Sequence, residues 1–274
     1  MGAAMRRLLT FDCEGAVLGA SLDEADGRTG VLIVTGGSQT RIGAHRSFER
    51  MAKGLAAAGY PAFRYDRRGV GDSEGEDPGF RGSEPDLRAA VQAFRAECPQ
   101  LQRIAGYGLC DGATALALFG AAAGIDALLL ANPWFVEAES GAPPPAAIKR
   151  HYRDRLLSVG GWKKLLGGGV SYRKLLKGLG KIVRSAPTGL ATDVAKSLER
   201  KPLPLTLILA QGDATAIAAE AEWRSSAFRR VREATPAPVT IDTDAHTFAK
   251  TGDGEKLLAA CLTALQRFEA SGGF

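Results

Sequence analysis

The chain has few of the residues that form metal sites or covalent crosslinks. Its 274 residues include four cysteines and three histidines, and no two of the cysteines form a C-x-x-C pair. This scattered spacing argues against a zinc site and against a disulfide framework, so we predict no metal. Unpaired thiols are typical of a reducing compartment, which makes the cytoplasm the expected location.

Long apolar runs and nucleotide-binding glycine motifs are also missing. No run of eighteen apolar residues occurs, so no membrane span is expected. The loop Gly36-Gly37-Ser38 has neither the G-x-G-x-x-G pattern nor a Walker lysine, and we predict no cofactor. A hydrophobic fraction of 45% and a charged fraction of 24% are those of an ordinary globular domain.

Short apolar runs alternate with helical stretches along most of the chain. After a hairpin over roughly 8–22, strands are predicted near 31–34, 62–65, from 103, and near 127–131, 205–210 and 239–241. The intervening helices are predicted over about 47–58, 84–97, 113–123, 216–233 and 255–270. This alternation predicts an α/β fold with a mostly parallel, doubly wound sheet.

The alternation stops between 133 and 204, where no buried-strand run occurs. Between Lys149 and Lys201 the chain carries 14 Lys/Arg and three Asp/Glu, whereas the net charge of the whole chain is only +5. We therefore predict an inserted basic helical lid over 133–204 and an α/β core over 1–132 and 205–274. A directed positive field of this kind favours an anionic partner, although for any single residue a solvated helix face is the better explanation.

One stretch combines a strand, a glycine-x-cysteine-x-glycine motif and a helix. It reads Gly108-Leu109-Cys110-Asp111-Gly112, with the apolar run from 103 before it and a small-residue run over 113–123 after it. This is the arrangement of a nucleophile elbow, where the nucleophile sits at positive φ between small neighbours. The elbow would place the Cys110 sulfur at a helix N-terminus, which favours the thiolate.

A thiol nucleophile needs a base to take its proton and an acid to orient that base. In this architecture the chain order is nucleophile, acid, histidine. His246 lies between the last predicted strand and the last predicted helix, where the base belongs. Asp213 directly follows the strand over 205–210 and is the preferred acid. The rival carboxylates that stay open are Asp242, Asp244, Glu137 and Glu139.

The same chemistry requires two N–H donors that face the oxyanion formed during attack. The backbone N–H of Asp111, the residue after the nucleophile, is expected to supply one of them. The loop that follows the strand over 31–34 is expected to supply the other, from Gly37 or alternatively from Ser38.

These motifs together resemble the α/β-hydrolase superfamily. The elbow, Asp213, His246 and the stretch 66–73, which reads Asp-Arg-Arg-Gly-Val-Gly-Asp-Ser, carry the resemblance. It implies an α/β-hydrolase fold with Cys110 as nucleophile, Asp213 as acid and His246 as base.

Two motifs, 35–46 and 108–112, are similar to a narrower group, the exosortase A system-associated hydrolase 1 family. That resemblance implies a hydrolase associated in Gram-negative bacteria with exopolysaccharide and protein-sorting loci, and it supplies no substrate. His45 and Arg46 match the narrower motif, and we expect them to position the loop or to cap the helix that follows.

Cys110 departs from the superfamily, in which serine is usual, although dienelactone hydrolase-like enzymes resemble this choice. A thiol that attacks an oxygen ester forms a higher-energy thioester, whereas attack on a thioester exchanges like for like. We therefore expect a small-molecule acyl substrate, either an activated ester, a lactone, or a thioester of coenzyme A or an acyl carrier protein. An acyltransferase and a non-catalytic binding protein are the alternatives to a hydrolase. Nucleic acid is not an expected partner, and the oligomeric state is left open.

Overall fold

The computed structural model describes residues 5–136 and 189–271. Its single sheet has eight strands in the order β1-β2-β4-β3-β5-β6-β7-β8. The strands are β1 Arg6–Cys13, β2 Ala16–Asp23, β3 Thr29–Val34, β4 Ala62–Tyr65, β5 Arg103–Leu109, β6 Ala127–Ala131, β7 Leu205–Ala210 and β8 Val239–Ile241. β2 is antiparallel to both β1 and β4, and all the other neighbours are parallel. The predicted mostly parallel sheet is therefore confirmed.

Helices cover both faces of this sheet. They are α1 Ser47–Ala57, α2 Glu84–Glu97, α3 Asp111–Ala123, α4 Gly189–Arg200, α5 Ala214–Trp223, α6 Arg229–Glu233 and α7 Asp253–Ser271. α1 contacts α7, while α3 contacts both α2 and α4. The buried side chains of α1 show why it packs this way, because Phe48, Met51, Ala52 and Leu55 recur at the spacing of one helical face.

The central strands are buried on both faces, as expected for parallel strands between two helical layers. Every residue of β3, β4 and β6 is buried. Because parallel strands end at the same edge, the loops after β3, β5, β6, β7 and β8 meet at one edge of the sheet. We call this the carboxyl edge, and ligands of open α/β sheets bind at such an edge.

The prediction of one helix over 216–233 is wrong, because the structure has two helices, α5 and α6, separated at 224–228. Phe228 lies in this break, is fully buried and stacks on Phe135 with ring centroids 5.1 Å apart. The guanidinium of Arg232 donates to the carbonyl oxygens of Trp223 and Ser225. These contacts stabilise a turn that hydrophobic periodicity along the sequence does not reveal.

The predicted lid over 133–204 falls mostly outside the described residues, which omit 137–188. The part that is described includes α4, whose apolar face is buried against the core. The Ser197 hydroxyl donates to the Leu118 carbonyl of α3 at 2.6 Å, and the Lys201 ammonium donates to the Ala121 carbonyl at 2.8 Å. Within the described ranges, none of the helices has the length and apolarity that crossing a membrane requires.

Candidate active site

Cys110 occupies the turn between β5 and α3 in a strained backbone conformation. Its φ is 59° and its ψ is −125°, a region that residues other than glycine rarely adopt. The Cys110 N–H donates to the Ala131 carbonyl at 3.0 Å, and the Cys110 carbonyl accepts the N–H groups of Thr114 and Trp134 at 3.2 Å each. These bonds, to α3 and to β6 with the loop after it, stabilise the strained turn.

Glycines on either side of Cys110 make the turn sterically feasible. A Cβ atom on Gly108 would lie 2.6 Å from the Ala113 nitrogen, and one on Gly112 would lie 2.6 Å from the Val34 carbonyl oxygen. Both contacts are with backbone atoms, which cannot rotate away as a flexible side chain can. The motif therefore lets α3 start immediately beside β3 and β5.

We expect Gly112→Ala to lower the free energy of unfolding by about 1–3 kcal/mol, the usual cost of inserting a methyl group into a packed site. The added methyl would press on the Val34 carbonyl at 2.6 Å and on the Thr35 carbonyl at 2.7 Å. Urea denaturation of the two proteins measures the difference.

Gly254→Ala in α7 is the matched control. Nothing lies within 4 Å of a Cβ at Gly254, so the methyl group meets no neighbour. Alanine is the better helix former by up to about 1 kcal/mol, so stability should be unchanged or raised. Equal stability of Gly112→Ala and the wild type would contradict the steric account of the elbow.

Asp213 and His246 form a hydrogen-bonded pair at the carboxyl edge. The distance from His246 Nδ1 to Asp213 Oδ2 is 2.9 Å. Asp213 is 8% exposed, and its side chain also accepts the Ala216 N–H at 2.9 Å as the N-cap of α5. The hydrogen bond with Asp213, followed by one with the Cys110 sulfur, raises the pKa of His246 to about 10. The structure thus brings the three predicted side chains together.

Two buried residues that sequence reasoning missed hold the His246 loop. The Asn132 amide donates to the His246 carbonyl at 2.8 Å and accepts the Ala210 N–H at 2.8 Å, so it joins this loop to β7. Thr243 accepts the Gly212 N–H on its carbonyl at 2.8 Å and donates its hydroxyl to Asp253 at 2.5 Å. Asn132 could have been found from its position, because a polar residue that directly follows a buried strand, here β6, lies at the carboxyl edge.

The rival acids differ from Asp213 in their surroundings. Asp242 and Asp244 are exposed, and Asp244 forms an ion pair with Lys250. Glu137 and Glu139 lie outside the described residues. Within the described parts of the chain, no group of three His, Cys, Asp or Glu side chains is placed to bind a metal ion.

One of the two predicted oxyanion donors already has an acceptor. The Gly37 N–H donates to the side-chain carboxylate of Asp111. The N–H of Asp111 belongs to the first residue of α3, where backbone donors have no intrahelical partner. Sequence reasoning treated Asp111 only as a backbone donor and did not foresee the position of its carboxylate. Ser38, the alternative donor, is exposed.

Ion pairs fix the loops that carry the remaining motif residues. Asp66 is fully buried, pairs with Arg41 and accepts the Asp72 N–H at 3.2 Å. Arg41 also reaches the Asp72 carboxylate at 2.7 Å, so the stretches 35–46 and 66–73 are held together. His45 and Arg46 both have positive φ, and Arg46 pairs with Glu49 in the first turn of α1.

A family model described as serine aminopeptidase, S33, matches residues 29–166, about half of the chain. The chain belongs to this S33 family, within the α/β-hydrolases. The family description specifies serine, whereas the elbow of this S33 chain carries Cys110. None of the curated proteins matches the chain. The narrower resemblance to the exosortase A system-associated hydrolase 1 family stays a prediction.

Solved structures similar to this S33 chain share its fold at low sequence identity. The Pyrococcus furiosus esterase Pf2001 is 17% identical with a TM-score of 0.63, over 97% of this chain and 91% of the esterase. The α/β-hydrolase GrgF from Penicillium sp. sh18 is 19% identical with a TM-score of 0.62, over 97% and 99%. Est1E from Butyrivibrio proteoclasticus, solved with ferulic acid, is 17% identical with a TM-score of 0.60, over 94% and 99%. These similarities confirm the predicted α/β-hydrolase fold.

Proposed function

We propose that this S33 chain is an acyl hydrolase that works through Cys110, His246 and Asp213. One observation carries the proposal: Cys110 lies at positive φ on the elbow, and His246, whose raised pKa has the Cys110 sulfur as its second cause, is paired with Asp213 at 2.9 Å. In this reading Cys110 is the nucleophile, His246 transfers the proton, and Asp213 fixes the imidazole tautomer.

The charge state of His246 supports a thiol mechanism. A pKa raised to about 10 keeps the imidazole protonated at neutral pH, and an imidazolium stabilises a neighbouring thiolate. In the proposed reaction, the Cys110 thiolate attacks the carbonyl carbon and the carbonyl oxygen becomes an oxyanion. Collapse of this intermediate forms a thioester on Cys110 and expels the leaving group, which takes the proton from His246. Neutral His246 then takes a proton from water, which attacks the thioester; the acid is released, and the Cys110 thiolate and the imidazolium are regenerated.

We propose activated esters and thioesters as the substrate class. Thiol attack on a thioester forms a new thioester of similar energy and expels a thiolate. Attack on a simple alkyl ester must instead expel an alkoxide, which is a poor leaving group. The net positive charge between Lys149 and Lys201 would attract the phosphates of coenzyme A or an acidic acyl carrier protein. A connection with exopolysaccharide metabolism follows from the narrower resemblance alone.

Transfer to an acceptor hydroxyl is the second candidate, and a thioester on Cys110 is the feature that favours it. A thioester keeps enough acyl-transfer potential to acylate an alcohol in place of water. Both candidates share the first half-reaction, so they differ only in what resolves the acyl-enzyme.

The test is to incubate the purified chain with p-nitrophenyl esters and acyl-coenzyme A thioesters. Intact mass spectrometry follows the adduct on Cys110 while released p-nitrophenol or free coenzyme A reports turnover. We expect a transient adduct and continuous release in water, because His246 can activate the second attack.

Two other outcomes would revise the proposal. A persistent adduct that disappears only when an alcohol acceptor is added would replace hydrolysis with acyl transfer. Absence of both adduct and turnover, over a range of acyl lengths and leaving groups, would contradict the enzyme function altogether.

A further inference from the structure

The carboxylate of Asp111 lies where the substrate oxygen is expected to bind. Its Oδ1 accepts the N–H of Gly37, one of the two donors proposed for the oxyanion. A Cβ on Gly36 would lie 2.5 Å from this same oxygen and 3.3 Å from the Cys110 Cβ. The absence of a side chain at Gly36 therefore leaves room for the carboxylate directly beside the nucleophile.

Arg67 is the positive group that faces this carboxylate. Its side chain is 3% exposed, and Arg67 Nη1 lies 3.9 Å from the second oxygen of Asp111. Its Nη2 donates to the Gly37 carbonyl, and to Asp77 at 3.1 Å. Arg67 Nε is buried with no hydrogen-bond partner among the described residues, so the guanidinium has donor capacity left. One arginine thus orients the Gly37 peptide and stands next to Asp111.

We propose that Asp111 is a specificity-determining residue, whose carboxylate occupies the Gly37 N–H in the free protein and turns toward Arg67 when a substrate carbonyl enters. This inference rests on the proposed function. The rotation exchanges one charge-assisted hydrogen bond for another, from the Gly37 N–H to the Arg67 guanidinium, which keeps its cost low. The Gly37 N–H then becomes available to the developing oxyanion.

The consequence is selection against negative charge in the acyl group. A carboxylate ligand would have to lie beside the Asp111 carboxylate at the same donor, and like charges in such positions repel strongly. A neutral acyl group brings no charge to this donor before attack, so its binding meets no such repulsion. The hydrolysis product is itself a carboxylate, so Asp111 would also promote its release.

The test measures binding of butyrate, the simplest stand-in for a product carboxylate, by NMR titration. The parent protein is Cys110→Ala, which allows binding without turnover. Adding Asp111→Asn keeps the shape of the side chain and removes its charge, so we expect butyrate affinity to rise by about tenfold or more. Adding Glu97→Gln instead is the control, because Glu97 pairs with Arg7 at the C-terminal end of α2, far from the carboxyl edge.

A second arm compares turnover of p-nitrophenyl butyrate with that of the p-nitrophenyl monoester of succinate, whose acyl group is anionic. Asp111→Asn in the otherwise native chain should raise kcat/KM for the anionic ester more than for the neutral one. Unchanged or weaker butyrate binding by the Asp111→Asn variant would overturn the inference, whatever the activity. If no ester is hydrolysed but Asp111→Asn still strengthens butyrate binding, the charge effect stands and the proposed function fails.

Discussion

Replacing Cys110 with alanine is expected to reduce kcat for ester or thioester hydrolysis by about 10⁶-fold, as when the nucleophile of a triad is removed. Alanine leaves His246 and Asp213 in place but offers no atom that can form an acyl-enzyme. Release of p-nitrophenol, measured with the best ester of the panel, gives the rate. Intact mass should show no acyl adduct on the variant.

Cys98→Ala is the matched control, since Cys98 lies at the C-terminal end of α2 and is 4% exposed.

Alkylation provides a second readout that does not depend on substrate choice. Burial raises the pKa of Cys13 and Cys98 to about 11 and that of Cys261 to about 12, so these thiols stay protonated at neutral pH. Iodoacetamide should therefore add one group to the wild type and none to Cys110→Ala. Full activity of Cys110→Ala would disprove the nucleophile assignment.

Most of the fold could be predicted because its central strands are buried on both faces and therefore appear in the sequence as apolar runs. β4 and β7 have the predicted bounds, Ala62–Tyr65 and Leu205–Ala210, and α2 has the predicted bounds Glu84–Glu97. Pro61 and Pro204 directly precede the two strands, so local chemistry and packing specify the same boundaries. The break between α5 and α6 was missed because it depends on Phe228, which packs on a residue far away in the chain.

The residues of the candidate site also fall into a group that the sequence predicts and a group that it does not. Cys110, Asp213 and His246 each follow a strand, and parallel strands bring such residues to one edge whatever their separation in sequence. Asn132, Arg67 and the Asp111 carboxylate act through contacts between loops, and no spacing rule encodes those contacts. Polar residues placed directly after buried strands are the general signal, and Asn132 satisfies it.

Cysteine at the elbow changes what the remaining site residues must do. A serine hydroxyl needs a neutral imidazole as its base, whereas a thiolate can be held beforehand by an imidazolium. The raised pKa of His246, to about 10, matches the second requirement. Its largest cause is the hydrogen bond with Asp213, so the Asp213 carboxylate raises the pKa of the imidazole before any substrate is bound.

Asp213→Asn should therefore lower both the activity and the pKa of His246. Loss of the carboxylate in a triad costs about 10⁴-fold in kcat, because the imidazole is left in the wrong tautomer. The pKa should fall from about 10 toward the ordinary value of 6.5, and NMR titration of the imidazole measures it directly.

A pKa raised in the folded state stabilises the fold below about pH 6.5, and this contribution is lost as the pH rises toward 10. In Asp213→Asn, the pKa of His246 is raised less, so the histidine should contribute less stability. That contribution should be fully lost at a lower pH than in the wild type.

Asp244→Asn is the control for charge near the histidine. Asp244 lies two residues from His246 in sequence, but it is exposed and pairs with Lys250. We expect this variant to keep the wild-type kcat and the raised pKa of His246, because the carboxylate has no bond to the imidazole ring. If Asp213→Asn kept full activity while Asp244→Asn lost it, the acid would be Asp244, and the 2.9 Å bond between His246 and Asp213 would be structural only.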